Sequence, residues 1–282
     1  IYLSFNAGGA GAKGWGIPVA TDIAFAIGVL VLLGSRIPSS LKLFLLTLAI
    51  VDDLIAIVII ALFYTSTISS PALLAASAIF IGLLLVRKYQ SQNMLLFIAL
   101  GICLWIAVQA SGVHATIAGA LLGFLAPLSS AGNKESISDR LERIIIPLST
   151  FVVIPLFAFA NAGVVISLNA FNSEVTKPVV WGVIFGLIAG KAIGVAGTVW
   201  ILTKLRIAVL PKQTNWLHIL GVGLLAGIGF TVSIFITELA FESDNQLIAA
   251  AKMGIIVASL IAAVGGSAML WLASKRSSYK AN

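Results

Sequence analysis

The chain has 282 residues, 60% of them apolar and 10% charged, with a net charge of +7 and a mean hydropathy of +1.12. A soluble globular chain carries roughly 45–50% apolar and about 25% charged residues. The excess here is spread over many apolar runs, which excludes a soluble fold and a nucleic-acid surface and points to one multi-span, all-α membrane domain over residues 1–282.

The chain opens at Ile1, not Met, in a glycine-rich stretch (Gly8, Gly9, Gly11, Gly14), and is expected to continue upstream in the natural protein. Nine apolar segments then follow, near 15–34, 40–64, 71–86, 94–108, 112–127, 144–166, 179–203, 216–240 and 247–273. Several reach the ~20 residues that cross a bilayer; the third to fifth are shorter and are expected to tilt or to shelter among the others. Cys103, the one cysteine, excludes an intrachain disulfide, and no cleavable signal peptide is visible.

Alternate loops and the C-terminus hold Arg36, Lys42, Arg87, Lys88, Lys134, Arg140, Arg143, Lys204, Arg206, Lys212, Lys275, Arg276 and Lys280, 13 of the 17 basic residues. Lys13 and Lys177 face the other side, with Lys252 near the start of the last segment. Because cytoplasmic loops carry the Lys and Arg excess, the C-terminus is placed inside and Ile1 outside.

Of the ten acidic residues, Glu135, Asp139, Glu142, Glu174, Glu238, Glu242 and Asp244 fall in or near loops, whereas Asp22, Asp52 and Asp53 fall mid-span, as does Lys191. Each such charge costs about 2.5–3.5 kcal/mol at a helix centre, or roughly 10–14 kcal/mol for four before pairing. A salt bridge that only joins helices is the plain alternative, but one lysine cannot neutralise three acids, so the group reads as an ion or proton path. Adjacent helical residues point about 100° apart, so one of Asp52 and Asp53 is free to face a cavity while the other meets a partner such as Lys191. Close carboxylates in a low-dielectric setting favour neutralisation. Carboxylate and carbonyl oxygens suit a hard cation such as Na⁺. A site that H⁺ or Na⁺ neutralises, but not both, is the core of an antiporter.

Two segments look broken. The first has Pro18, Thr21 and Asp22 at its centre, and the eighth has Gly221, Gly223, Gly227 and Gly229. Broken helices in a membrane are tolerated where they line a cavity or are buried in protein, and a matched pair points to a transporter site. Gly182, Gly186, Gly190 and Gly194 recur every four residues and read as a close-packing stripe. Residues 221–226 mimic a dinucleotide fingerprint but no strand precedes them. His114 reads as hydrogen-bonded packing in preference to a pH sensor, and His218 as interfacial. No Cys/His cluster suggests a metal cofactor, and no cofactor is expected.

The runs Ala20-Thr21-Asp22-Ile23-Ala24-Phe25-Ala26 and Ala49-Ile50-Val51-Asp52-Asp53-Leu54 together resemble the NhaA sodium/proton antiporters. Further matches are the stretch from Ser111 through His114 to Gly119, that from Pro155 through Asn161 to Gly163, Gly190-Lys191, and the stretch from Gly227 through Thr231 to Ser233. That family is itself one of the inverted-repeat transporters from which the broken-helix rule is drawn. The resemblance implies a polytopic helical bundle with inverted repeats and two discontinuous crossing helices, twelve helices in the bacterial inner membrane, of which about nine are here. It implies Na⁺ or Li⁺ export driven by proton entry, electrogenically, in the service of pH homeostasis. Asp53 and Asp52 would bind the ion and exchange protons, with Thr21 a further oxygen ligand. Lys191 would pair with Asp52 in the ion-free state, and Asp22 and Lys191 would offset the ends of the half-helices. Glu142 matches an acidic residue tied to pH regulation, although Arg143 stands where a His is familiar and Ala192 where a Pro often follows the Lys. The partners implied are the transported ions, membrane lipids, and a second copy in the intact protein.

Two other functions remain to be weighed. A sodium-coupled solute symporter would need a polar pocket for an organic substrate, which no cluster here suggests. An intramembrane aspartyl protease would need two carboxylates sharing a proton, which a buried lysine beside them would spoil.

Overall fold

The computed structural model describes residues 1–65, 68–89, 93–128, 136–161, 177–242 and 244–279, and these are helical, with no strand among them. Lys134, Glu135, Gly163, Glu174, Lys280 and the 162–166 end of the sixth expected segment lie outside the described residues. The helices are α1 (Tyr2–Asn6), α2 (Ile23–Leu32), α3 (Ser39–Phe63), α4 (Ser70–Lys88), α5 (Met94–Ala110), α6 (Thr116–Leu125), α7 (Ile137–Asn161), α8 (Pro178–Lys204), α9 (Trp216–Leu225), α10 (Phe230–Phe241) and α11 (Asn245–Tyr279). A 3₁₀ segment, Ala10–Val19, precedes α2.

Five helices, α3, α4, α7, α8 and α11, are long and apolar enough to cross a membrane. The 3₁₀ segment and α2 bend by 45° at their junction, and α9 and α10 by 47°; counting each bent pair as one span gives seven. The shorter α5 and α6 are apolar as well. Large apolar side chains stand outward, Phe151 at 77% and Phe159 at 87% exposure. That would be an aggregation hazard in water and is the normal outer face of a chain solvated by lipid.

Local chemistry sets the helix starts. Asn93 accepts from the Leu96 amide at 3.1 Å to cap α5. Ser136 and Asp139 cap α7 reciprocally, and α4 and α8 each carry a proline in the first turn. The α7 cap corrects the expected start near 144. The turn carrying Arg140, Glu142 and Arg143 is too polar to show in hydropathy, yet it is helical, so Glu142 sits on a helix and not in a loop. Further along, a wide π-helical turn at Ser149–Val153 falls between Pro147 and Pro155, which lack the N–H an α-helix needs.

The chain forms two compact units, one of Ile1–Ala56 with Phe157–Asn282, the other of Ile57–Leu156. In the second, Leu83, Phe97, Leu104, Ala118, Leu125 and Ile137 join α4, α5, α6 and the start of α7 in one apolar core. Arg87 donates to the Phe124 carbonyl at 2.7 Å, satisfying the end of α6. His114 lies 3.1 Å from the Tyr64 carbonyl through Nε2, in keeping with a hydrogen-bonded packing role.

In the first unit, Leu30, Leu41, Leu45, Ile219, Leu225, Ala262 and Leu270 form the core. Glycines bring α9 against both neighbours. A Cβ on Gly221 would lie 2.8 Å from Leu270, one on Gly266 2.6 Å from Leu225, and one on Gly223 3.1 Å from Ala192. The α8 glycine stripe packs closely only in its first half: Gly182 faces Tyr2 and Asn6, Gly186 faces Pro18 at 2.8 Å, and Gly194 meets nothing. Each four-residue step drifts about 40° around an α-helix, so the stripe cannot hold one face over its whole length. His218, expected at the interface, is 1% exposed, and its ring meets the Asn215 amide at 3.2 Å as part of the α9 cap.

Gly227, between α9 and α10, is the tightest approach to backbone: a Cβ there would lie 2.5 Å from the Leu187 carbonyl oxygen and 2.9 Å from that of Leu224. Backbone on both sides cannot yield as a flexible side chain would. Gly227→Ala is therefore expected to cost about 1–3 kcal/mol, read as a lower thermal unfolding midpoint in detergent. Gly119→Ala, with open space around its Cβ, should leave the midpoint where it was. Equal midpoints for the two variants would contradict this packing.

Candidate functional site

The two breaks meet and complete each other's backbone bonding. The Asp22 amide donates to the Ile228 carbonyl at 2.6 Å, and the Ser233 hydroxyl donates to the Ile17 carbonyl at 2.8 Å. The Thr21 hydroxyl lies 2.8 Å from the Ala226 carbonyl, at the end of α9. Buried helix ends carry backbone groups with no partner inside the helix, and here each break supplies acceptors for the other.

Asp22, 2% exposed, is bonded at two helix N-termini at once. Its Oδ1 accepts from the Phe25 amide at 3.1 Å, capping α2. Its Oδ2 accepts from the Thr231 amide at 3.0 Å and the Thr231 hydroxyl at 2.5 Å, at the start of α10. Both are the positive ends of helix dipoles, where a carboxylate is favoured. The Phe230 amide finds the Ser259 hydroxyl oxygen at 3.3 Å.

Lys191 follows a second wide turn, Gly186–Gly190, which interrupts α8. Such turns are rare and frequent at functional sites. Its Nζ donates to the Val19 carbonyl at 2.5 Å, to Thr21 Oγ1 at 3.0 Å and to Asp52 Oδ2 at 2.5 Å. Val19 ends the 3₁₀ segment, so the ammonium serves a helix C-terminus and a carboxylate together. The ion pair is largely withdrawn from solvent, with 11% of the lysine and 18% of the aspartate side chain exposed. Thr21 Oγ1 also lies 2.7 Å from Asp52 Oδ2. With one hydroxyl proton, Thr21 serves Asp52 or the Ala226 carbonyl while accepting from Lys191.

Asp53 differs. Among the described residues its Oδ1 is the buried side-chain polar atom with no hydrogen-bond partner. Almost all such atoms in native structures are bonded, so this oxygen stands apart as one still able to take a partner.

Thr21, Asp52 and Lys191 are thus in direct contact, Asp53 adjoins them in sequence with a free oxygen, and Asp22 is engaged elsewhere at the same crossing. Glu142 belongs to the other unit, where it is exposed and lines an apolar cavity of about 510 Å³ with Phe97, Trp105, Leu122 and Ile145. Sequence reasoning did not single out Thr231 or Ser259 as partners of helix ends. A hydroxyl directly after a glycine-rich break is the signal that would have found Thr231; nothing local marks Ser259. The carbonyls of Val19 and Ala226 carry no side-chain signal at all. The arrangement sets three carboxylates against one ammonium at the crossing of two broken helices, a chemistry suited to H⁺ or a small cation.

Thr231→Val removes the hydroxyl bond to Asp22 and leaves the amide bond. A hydrogen bond to a charged group contributes about 1.5–3 kcal/mol, so the thermal midpoint should fall, and Thr231→Ser should restore it. Identical midpoints for the parent and Thr231→Val would show that the hydroxyl adds nothing.

Comparison with known proteins adds an independent finding. The family described as Na⁺/H⁺ antiporter 1 matches residues 1–270. Na⁺/H⁺ antiporter NhaA of Enterobacter sp. is 49% identical over 273 residues, 96% of this chain and 69% of its own length. NhaA 1 of Clostridium beijerinckii is 46% identical over 271 residues, covering 95% and 68%. NhaA of Histophilus somni is 47% identical over 264 residues, covering 93% and 66%. The chain thus spans about two thirds of the length of these relatives.

Proposed function

Since the chain belongs to the Na⁺/H⁺ antiporter 1 family, we propose that it exchanges internal Na⁺ or Li⁺ for external H⁺ across the bacterial inner membrane, at a site built on Asp52 and Asp53. The observation that carries this reading is the unpartnered Asp53 Oδ1 beside the Asp52–Lys191 pair. One carboxylate has an oxygen to offer, and the other is held by a base that can release it.

In the ion-free state Lys191 neutralises Asp52. A cation arriving at Asp53 also draws on Asp52, and Thr21 contributes an oxygen once its contacts rearrange. Protons take the same carboxylates from the opposite side, so cation and proton exclude one another and flux is coupled. More than one proton-bearing group per cation makes the exchange electrogenic. Asp22, already bonded at two helix starts, serves as compensator and not ligand, and Lys191 compensates the end of the 3₁₀ segment. Glu142, exposed at the start of α7, is assigned to pH regulation and not to ion binding. The basic excess in alternate loops supports a cytoplasmic C-terminus, and cation export against proton entry fits a role in pH homeostasis.

The relatives are named as antiporters, transporters and not enzymes, which sets the protease aside. No observation favours an organic co-substrate.

In proteoliposomes loaded acidic inside, adding Na⁺ outside should raise the lumenal pH, read by an entrapped pH-sensitive dye. Asp53→Asn should abolish the signal; full exchange by that variant would overturn the site. Competition also fixes a sign: lowering the pH should raise the apparent KM for Na⁺, because protons occupy the carboxylates the cation needs. A KM independent of pH would mean that the two ions do not share a site.

A further inference from the structure

We infer that one end of the first unit, framed by Trp200, Trp216 and Trp271 and carrying Lys204 and Lys275, is a binding surface for anionic phospholipid headgroups. This goes beyond the proposed exchange and does not depend on it.

The three indoles come from three different helices, and packing puts them at one level. Gly221 lies against Leu270 and Gly266 against Leu225, so α9 and α11 run antiparallel in a fixed register. Continuing that register from Gly221 toward the start of α9 brings Trp216 beside the turn of α11 that holds Trp271 and Lys275. Gly223 lies against Ala192 and Val195, and Val195, Ala196 and Val199 pack on the core that includes Ile219 and Val222, which sets the start of α9 beside the later turns of α8, where Trp200 and Lys204 are. Each of the three rings is partly open, Trp200 at 51% and Trp216 and Trp271 at 40%.

Two of them hold an ammonium group. Lys204 Nζ sits 4.8 Å from the Trp200 ring centroid, and Lys275 Nζ 3.7 Å from that of Trp271. Both pairs are spaced four residues apart on a helix, so ring and base share a face. Cation–π contact fixes the direction of an otherwise mobile lysine. An indole with an apolar body and a polar N–H settles at the boundary between acyl chains and headgroups, and the lysine over it is then held at phosphate level.

Among the described residues of this unit, the charge around these pairs is of one sign. The Ser40 hydroxyl bonds the Lys212 carbonyl at 2.7 Å, which ties the 205–215 connection to the start of α3 and gathers Arg36, Lys42, Arg206 and Lys212 at the same end. The described carboxylates of this unit are elsewhere. Asp22, Asp52 and Asp53 are at the crossing, and Glu238, Glu242 and Asp244 flank the start of α11, about 45 Å along that helix from Lys275. Glu238 is moreover paired with Lys252 at 2.6 Å. A basic rim with none of this unit's described carboxylates beside it attracts anionic lipid, each base near the surface favouring it about fivefold.

The test uses the full chain in phosphatidylcholine vesicles containing a minor fraction of either brominated phosphatidylglycerol or brominated phosphatidylcholine. Bromine quenches tryptophan only at close contact. Stronger quenching by the brominated anionic lipid is expected, and the double variant Lys204→Gln/Lys275→Gln should reduce that preference by about fivefold or more. Helix content by circular dichroism should stay unchanged, since both lysines are exposed. Equal quenching by the two lipids in the parent would overturn the inference, as would a preference that survives in the double variant. Excess soluble glycerol phosphate should leave the quenching as it was; displacement by it would make the ligand a free phosphate and not a lipid surface.

Discussion

A helix that stops inside a bilayer leaves N–H and C=O groups with no water to bond them, and everything at this crossing answers that constraint. Two chains of backbone stop there, at 20–22 and at 226–229. The answer divides by sign. The two helix starts share one carboxylate, Asp22, and the end of the 3₁₀ segment takes the ammonium of Lys191. Remaining carbonyls are met across the crossing, Ile228 by the Asp22 amide and Ile17 by Ser233. The second break is also packed tightly on α8, where a Cβ on Gly227 would run into the Leu187 carbonyl.

That arrangement separates the three carboxylates by how fully each is already bonded. Asp22 has both oxygens committed to helix starts, and removing one partner from a buried charge costs far more than the pair contributes. Asp52 has a single oxygen held by Lys191 and Thr21, and Asp53 has an oxygen held by nothing among the described residues. The three aspartates look alike in a hydropathy plot. Their hydrogen-bond partners make one a fixture, one a shared group and one an open group.

Much of this could be read from the residues alone. Four charges in apolar runs single out the candidate site, because the cost of placing them there is high and general. Pro18 and the glycines at 221–229 mark the breaks, because missing donors and missing Cβ atoms act locally. The adjacency of Asp52 and Asp53 implies unequal roles from helix geometry alone. What could not be read is whatever depends on backbone atoms or on long-range meeting: the Val19 and Ala226 carbonyls, the double cap by Asp22, and Ser259 reaching the start of α10. The helical start of α7 was hidden for another reason. Its first turns are polar, and hydropathy registers burial in lipid, not helicity. The α8 glycines mislead in the opposite direction, since a four-residue repeat drifts off one face within three turns.

Lys191 is where the fold and the proposed exchange meet. A lysine whose one buried partner is lost becomes an uncompensated charge, at a cost of about 3–5 kcal/mol. Here the ammonium has the Val19 carbonyl and the Thr21 hydroxyl as well as Asp52. When a proton or a cation neutralises Asp52, the lysine retains two oxygen acceptors at a helix C-terminus, where positive charge is favoured. The structural debt of a broken helix therefore leaves acceptors that let the ion pair open without stranding its base. A continuous helix at residues 17–23 would tie up the Val19 carbonyl in its own ladder, and Lys191 would then have to hold Asp52 or go largely unbonded. In the proposed exchange, the broken helix is thus what lets the resident positive charge give way to a cation.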